Sequence, residues 1–172
     1  MNEIINKYNR EFSNLNLDEN KKVFTTIIEK TKKQFERLST LADQMDSLTA
    51  QKFNVNSLSA AKYMESLDFI AKAIMENDRH IRVVISSFNN RRYIELQQYN
   101  DEAELTNNEI RQLTNYEEQI EEAEKLVNDN DDLLSKLESL LLELLKKTYD
   151  ENSSIDAKNK INELIEQLKF YV

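Results

Sequence analysis

A chain of 172 residues that contains neither glycine nor proline has lost the two residues that most often punctuate a fold. Average usage would supply about 12 glycines and about 9 prolines in this length. Without glycine, tight hairpins that need positive φ are disfavoured, and so are the phosphate-cradling loops of P-loop and dinucleotide-binding folds and the strained elbow of the α/β-hydrolases. Without proline, no backbone N–H is missing from an interior turn of a helix. The expected fold is all-α, its connections made from asparagine, aspartate and serine.

Charge and reactive side chains narrow the function. Asp and Glu outnumber Lys and Arg by 32 to 23, a net charge of −9, which disfavours broad binding to nucleic acid or anionic membrane and favours protein partners. No cysteine is present and one histidine, His80, stands alone, too little for a thiolate or histidine metal site. No catalytic, cofactor-binding or metal-binding residue is expected. No apolar run reaches 18 residues, and Met1-Asn2-Glu3 lacks the basic and apolar regions of a secretion signal. A soluble, intracellular protein is expected.

Apolar spacing of three and four residues lays out the helices. Ile4, Ile5, Tyr8 and Phe12 share a face in a short N-terminal segment, and Asp18 can cap a second helix whose stripe runs Phe24, Ile27, Ile28, Thr31, Phe35, Leu38, Leu41, Met45 and Leu48. After an aperiodic connection at 49–57, a third helix is expected to run unbroken from 59 to 99, roughly 60 Å long. Its stripe includes Leu67, Ile70, Ile74, Ile81, Val84, Ile85, Phe88 and Leu96, interrupted by Asn77 and Asp78 and then by Arg92. Thr106-Asn107-Asn108-Glu109 matches a capping box, in which the hydroxyl and the carboxylate each satisfy an open amide of the helix start. The helix it opens carries Ile110, Leu113, Tyr116, Ile120, Ala123 and Val127.

Together these segments predict an antiparallel helical bundle over 1–128. Residues 128–132 read as a turn, and 129–172 as a C-terminal helical appendage. In the appendage Leu133, Leu134, Leu137, Leu140, Leu141, Leu142, Leu144 and Leu145 cover more than one face, so Leu137, Leu141 and Leu144 are expected at an interface, buried on two sides or shared with another chain. Asp156 is placed to cap a last helix through Ile161, Leu164, Ile165 and Leu168.

Among charged residues, Asp78 stands four before Arg82 and Glu95 four after Arg91, positions suited to ion pairs along a helix. Arg92 lies on the apolar stripe itself, so its guanidinium is expected to meet a carboxylate in the core or in a partner. His80, with Asp78 and Glu76 nearby as an imagined acid/base cluster, is expected to be a surface or interface histidine, and the run Glu117, Glu118, Glu121, Glu122 and Glu124 a solvated acidic face.

The run Ile81-Arg82-Val83-Val84-Ile85-Ser86-Ser87-Phe88, followed by Arg92, Leu96 and Tyr99 and then by Leu105-Thr106-Asn107-Asn108-Glu109, resembles the central helix and following helix start of the GINS replication-complex subunits, the Sld-five subunits in particular. The resemblance spans residues 24–123, with its specific part in 81–109. It implies a GINS helical domain and a non-enzymatic subunit that scaffolds the replicative helicase during initiation and fork progression. Arg82, Phe88, Arg92, Leu96 and Glu109 would then pack against sister GINS subunits, and the location would be nuclear in a eukaryote and cytoplasmic otherwise. That family also carries a small β-rich second domain, where residues 128–172 here read as two helices. A helical, coiled-coil-like interaction or adaptor protein unrelated to replication fits the same composition.

Overall fold

The computed structural model describes residues 19–53, 57–99 and 105–146. A 3-10 turn, Glu19–Phe24, leads into α1, Thr25–Lys52; α2 is Leu58–Ser87, α3 is Asn90–Gln97, and α4 is Asn107–Lys146. Nearly every described residue is helical, and none of them has a positive φ or a cis peptide bond. The all-α expectation therefore holds for the described residues. The N-terminal segment with Ile4, Ile5, Tyr8 and Phe12, the cap at Asp18, and the final helix expected after Asp156 lie outside them.

Contacts at matching heights give the topology. Phe53 stacks on Tyr63 at one end, 5.9 Å between ring centroids, and Phe24 meets Phe88 edge-on at 4.8 Å at the other, so α1 and α2 are antiparallel. Asn77 bonds Asn130 and Phe88 meets Tyr116, which makes α2 antiparallel to α4 as well. Gln34 bonds Val127 and Lys52 bonds Leu144, so α1 and α4 run parallel. Three long helices thus form an up-down-up bundle, and the short α3 continues along the first half of α4.

Three expected boundaries move, the first being the end of α1, which runs to Lys52 into the connection expected at 49–57. The helix expected to be continuous over 59–99 breaks at Phe88 and Asn89: Phe88 is extended (φ −74°, ψ 128°), and the Asn89 side chain accepts a hydrogen bond from the Arg92 N–H, 3.1 Å, to start α3. An asparagine side chain offers the backbone an alternative to the helical bond, and here it wins. The start of α2 is capped by Ser57, whose Oγ accepts from Ala60 N at 3.1 Å. Conversely, the turn expected at 128–132 is helix, because α4 runs through it without interruption for 40 residues. The proposed boundary between 128 and 129 falls in the middle of that helix.

The reason is visible in the packing. Asn130, whose polarity suggested a loop, is fully buried and bonded to side chains of α1 and α2. Beyond it Leu133, Leu134, Leu137, Leu140, Leu141 and Leu144 join Phe35, Leu38, Met45, Leu67, Ile70 and Ile74 in the larger of two core clusters. Residues 129–146 are therefore core, and Leu137, Leu141 and Leu144 are buried within their own chain, where an interface shared with another chain was an expected alternative. Only Leu142 and Leu145 of that run stand exposed. Lys52 at the end of α1 reaches across to α4, its Nζ donating to the carbonyls of Leu144 (2.7 Å) and Leu145 (3.2 Å).

Leu137→Ala is expected to destabilise the fold by about 2 to 5 kcal/mol through lost burial and the cavity left behind. Leu142→Ala, on the solvent side of the same helix, should stay within about 0.5 kcal/mol. Urea denaturation of both variants checks the contrast, and equal small effects would return the leucine run to the surface.

Candidate interaction site

Of the residues that carry the resemblance, Phe88, Arg92 and Glu109 lie where α3 packs on the start of α4, while Arg82 pairs with Asp78 inside α2. Phe88, freed from helical geometry by the break, sits among three other rings: Phe24 at 4.8 Å, Tyr116 at 5.0 Å and Tyr93 at 5.3 Å, all edge-on, with Tyr93 and Tyr116 6.0 Å apart. Edge-to-face geometry sets the positive ring edge against the negative face and adds to the burial of the rings. The second core cluster forms around them from Ile27, Ile28, Ile81, Val84, Ile85, Ala123 and Val127. Leu96 of α3 is completely buried.

At the edge of this cluster the capping box is formed. The Thr106 N–H and Oγ1 both donate to Glu109 Oε2, at 3.0 and 2.8 Å, while the Glu109 N–H approaches Thr106 Oγ1 at 3.4 Å. The other carboxylate oxygen accepts from Arg92 Nη2 at 3.0 Å, and Arg92 Nε donates to Gln112 Oε1 at 3.3 Å. Arg92 Nη1 also lies 3.6 Å from Glu95. One carboxylate thus caps α4 and ties α3 to it. The Thr106 bonds, backbone first, together with the Arg92 guanidinium hold the Glu109 carboxyl below the usual carboxylate range, and Glu109 in turn raises the guanidinium's affinity for its proton.

Arg92 meets a carboxylate as its position on the stripe required, but at the margin of the core: its side chain is 34% exposed and that of Glu109 is 25% exposed. The deeply buried ion pair is a different one. Asp78 is 0% exposed, and Arg82 Nη2 reaches its Oδ2 at 3.0 Å from a side chain that is 18% exposed. The i, i+4 spacing of this pair is legible in the sequence; its depth is not, because depth depends on which helices cover that face. Arg91 and Glu95 form the expected surface pair, 3.1 Å.

Elsewhere the long-range contacts are ones that spacing within one segment cannot reveal. Arg37 of α1 clamps Glu138 of α4 with two bonds, Nε to Oε1 at 2.8 Å and Nη2 to Oε2 at 2.7 Å, which lowers the Glu138 carboxyl from its ordinary value. Both side chains remain over a third exposed, so water screens much of the attraction. His80 is exposed and faces Glu122 at 3.2 Å, while Glu76 bonds Arg79. The acids imagined around His80 therefore point to different partners: Asp78 inward to Arg82, Glu76 outward to Arg79. Among the described residues no group of three potential metal-ligating side chains comes together, and no described helix is long and apolar enough to cross a membrane.

Two outcomes follow from this geometry. Arg82→Ala withdraws a guanidinium from a carboxylate that water does not reach and should cost about 3 to 5 kcal/mol; Arg91→Ala, at an exposed pair, should cost about 0 to 1 kcal/mol. Thermal or urea unfolding of the two variants decides, and similar values would mean that Asp78 is adequately held without Arg82. For Glu109 the folded-state pKa is lowered, so its contribution is fully present above the unfolded glutamate value of about 4.3 and is lost as pH falls through the lower folded value. Protection factors of the amides at the start of α4, corrected for the intrinsic exchange rate, should therefore fall below about pH 4 in the native protein, and Glu109→Gln should flatten that acid response.

No family model, no curated protein and no solved structure matches this chain.

Proposed function

We propose that the protein is a non-enzymatic scaffold that holds other proteins through its helix faces, and that within this class it acts as a GINS-type subunit at the replicative helicase. The observation that carries the narrower reading is the Arg92–Glu109 contact. It joins the arginine that interrupts the α2–α3 stripe to the glutamate of the following capping box, two of the residues that carry the resemblance, beside a core that contains Phe88, with Leu96 also buried. The binding reading draws on what the faces leave open. Within the run 81–88, Val83 is 60% exposed while Ile81, Val84, Ile85 and Phe88 are buried, and Leu58, Ile94, Tyr99, Leu142 and Leu145 also reach solvent. An aliphatic side chain presented on a rigid helix is inexpensive to bury against a partner, because little conformational freedom remains to be lost.

A second reading, a helical adaptor unrelated to replication, is favoured by the course of α4. Where the GINS resemblance implies a small β-rich second domain after the helical one, residues 128–146 continue α4 and fill the same core as α1 and α2.

Co-expression with the other three GINS subunits from the same source separates the two. A GINS-type subunit is expected to co-elute with them as one four-subunit assembly, and Val83→Glu, which leaves a solvent-facing position solvent-facing, should weaken that assembly at least about tenfold while leaving the helical circular dichroism intact. Failure to co-elute with a correctly folded chain would remove the replication reading and leave the adaptor, whose partners affinity purification with mass spectrometry would identify.

A further inference from the structure

Each long helix carries a polar step where its apolar stripe passes from one cluster to the other, and the three steps lie at one height. In α1 the stripe passes from Ile28 through Thr31 and Gln34 to Phe35; in α2 from Ile74 through Asn77 and Asp78 to Ile81; in α4 from Val127 through Asn130 to Leu133. On one side of these steps the apolar residues belong to the leucine-rich cluster, and on the other to the aromatic cluster, with no member in common. Thr31, Gln34, Asp78 and Asn130 are all buried.

The amides are bonded to one another across all three helices. Gln34 Nε2 donates to the Val127 carbonyl at 2.8 Å, Asn130 Nδ2 lies 3.5 Å from Gln34 Oε1, and Asn77 Nδ2 donates to Asn130 Oδ1 at 2.9 Å. Thr31 returns its hydroxyl to the Ile27 carbonyl, 2.8 Å, within its own helix. A buried amide that is satisfied only when three helices stand at one height penalises every other register, as a single asparagine does in a coiled-coil seam. It also replaces dispersion contact between neighbouring apolar layers by directional bonds, so the packing of one cluster does not propagate into the other.

The two halves are unequal. In the leucine-rich half the stripe of α4 is buried almost throughout, whereas in the aromatic half Leu113, Tyr116, Ile120 and Leu126 are only partly covered. Less buried apolar surface means a smaller free energy of local opening.

We propose that the Gln34–Asn77–Asn130 layer divides the bundle into two cooperative units, and that the aromatic end opens as a unit while the leucine-rich end stays folded. Opening uncovers Phe88 and the rings around it without global unfolding. The layer acts here as a built-in boundary, holding register in the closed state and limiting how far an opening spreads.

Native-state hydrogen exchange on the full chain tests this directly. In the wild type, amides of 81–97 and of 107–127 are expected to share one opening and to be at least about tenfold less protected than those of 63–74 and 133–144. Gln34→Leu, Asn77→Leu and Asn130→Leu combined should bring the two sets to a common protection, because a continuous apolar core then couples them. Asn77→Leu alone, at the half-buried edge of the layer, provides a second variant should the triple one not fold, and should narrow the difference at least about twofold. A single level of protection across all four segments in the wild type overturns the proposal, as does a split that persists unchanged in a folded leucine variant.

Discussion

Everything in this bundle leans on the burial of one side of α4. A 40-residue helix presents its leucines to α1 and α2 along one half, and along the other its half-covered aromatic and aliphatic residues join the cluster around Phe88. Helical stability in water comes mainly from such packing, and each fully buried leucine contributes about 1.5 to 3 kcal/mol relative to exposure. The eight-residue α3 is far below the length at which a helix holds together alone, so it depends on the surfaces that α4 and the 3-10 turn offer it.

Ionic contacts refine this frame and do not create it. Arg37 with Glu138 and Arg92 with Glu109 join helices distant in sequence, but both lie where water still reaches them. Their geometry supplies direction: the fork of Arg37 allows α1 one height against α4, and Glu109 binds the start of α4 to α3 through the same carboxylate that caps it. Asp78 with Arg82 is the exception in depth, since a carboxylate removed from water must keep its partner or lose its charge. Polar order inside the core and ionic order at its edge both select one arrangement of helices from the many that leucine burial alone would accept.

Much of this was legible in the residues themselves. Periodicity located the apolar faces, and the capping box at Thr106 and Glu109 appears where its residue types place it. Arg82 and Asp78 were readable as a pair, and Arg92 as an arginine in need of a carboxylate. Local pattern failed where a polar side chain has two uses. Asn89 and Asn130 are the same residue type inside comparable helical runs, yet Asn89 stops a helix by bonding the Arg92 amide while Asn130 is held inside one by Gln34 and Asn77. Whether an asparagine caps its own backbone or bridges to another helix depends on what lies opposite, and that neighbour is about a hundred residues away in the case of Gln34.

The absence of glycine and proline and the stripe spacing by themselves determined that the described residues are helical, with apolar faces at helical spacing. They do so because helix formation and amphipathicity are properties of residues three and four apart. Tertiary structure decided the rest: that α2 and α3 part at Phe88, that residues 128–146 belong to the core and not to an appendage, that Asp78 and not Arg92 anchors the deepest ion pair, and that one polar layer stands between two apolar clusters. Each of those outcomes turns on burial, and burial is set by the faces that other helices bring, which no stretch of sequence carries within itself.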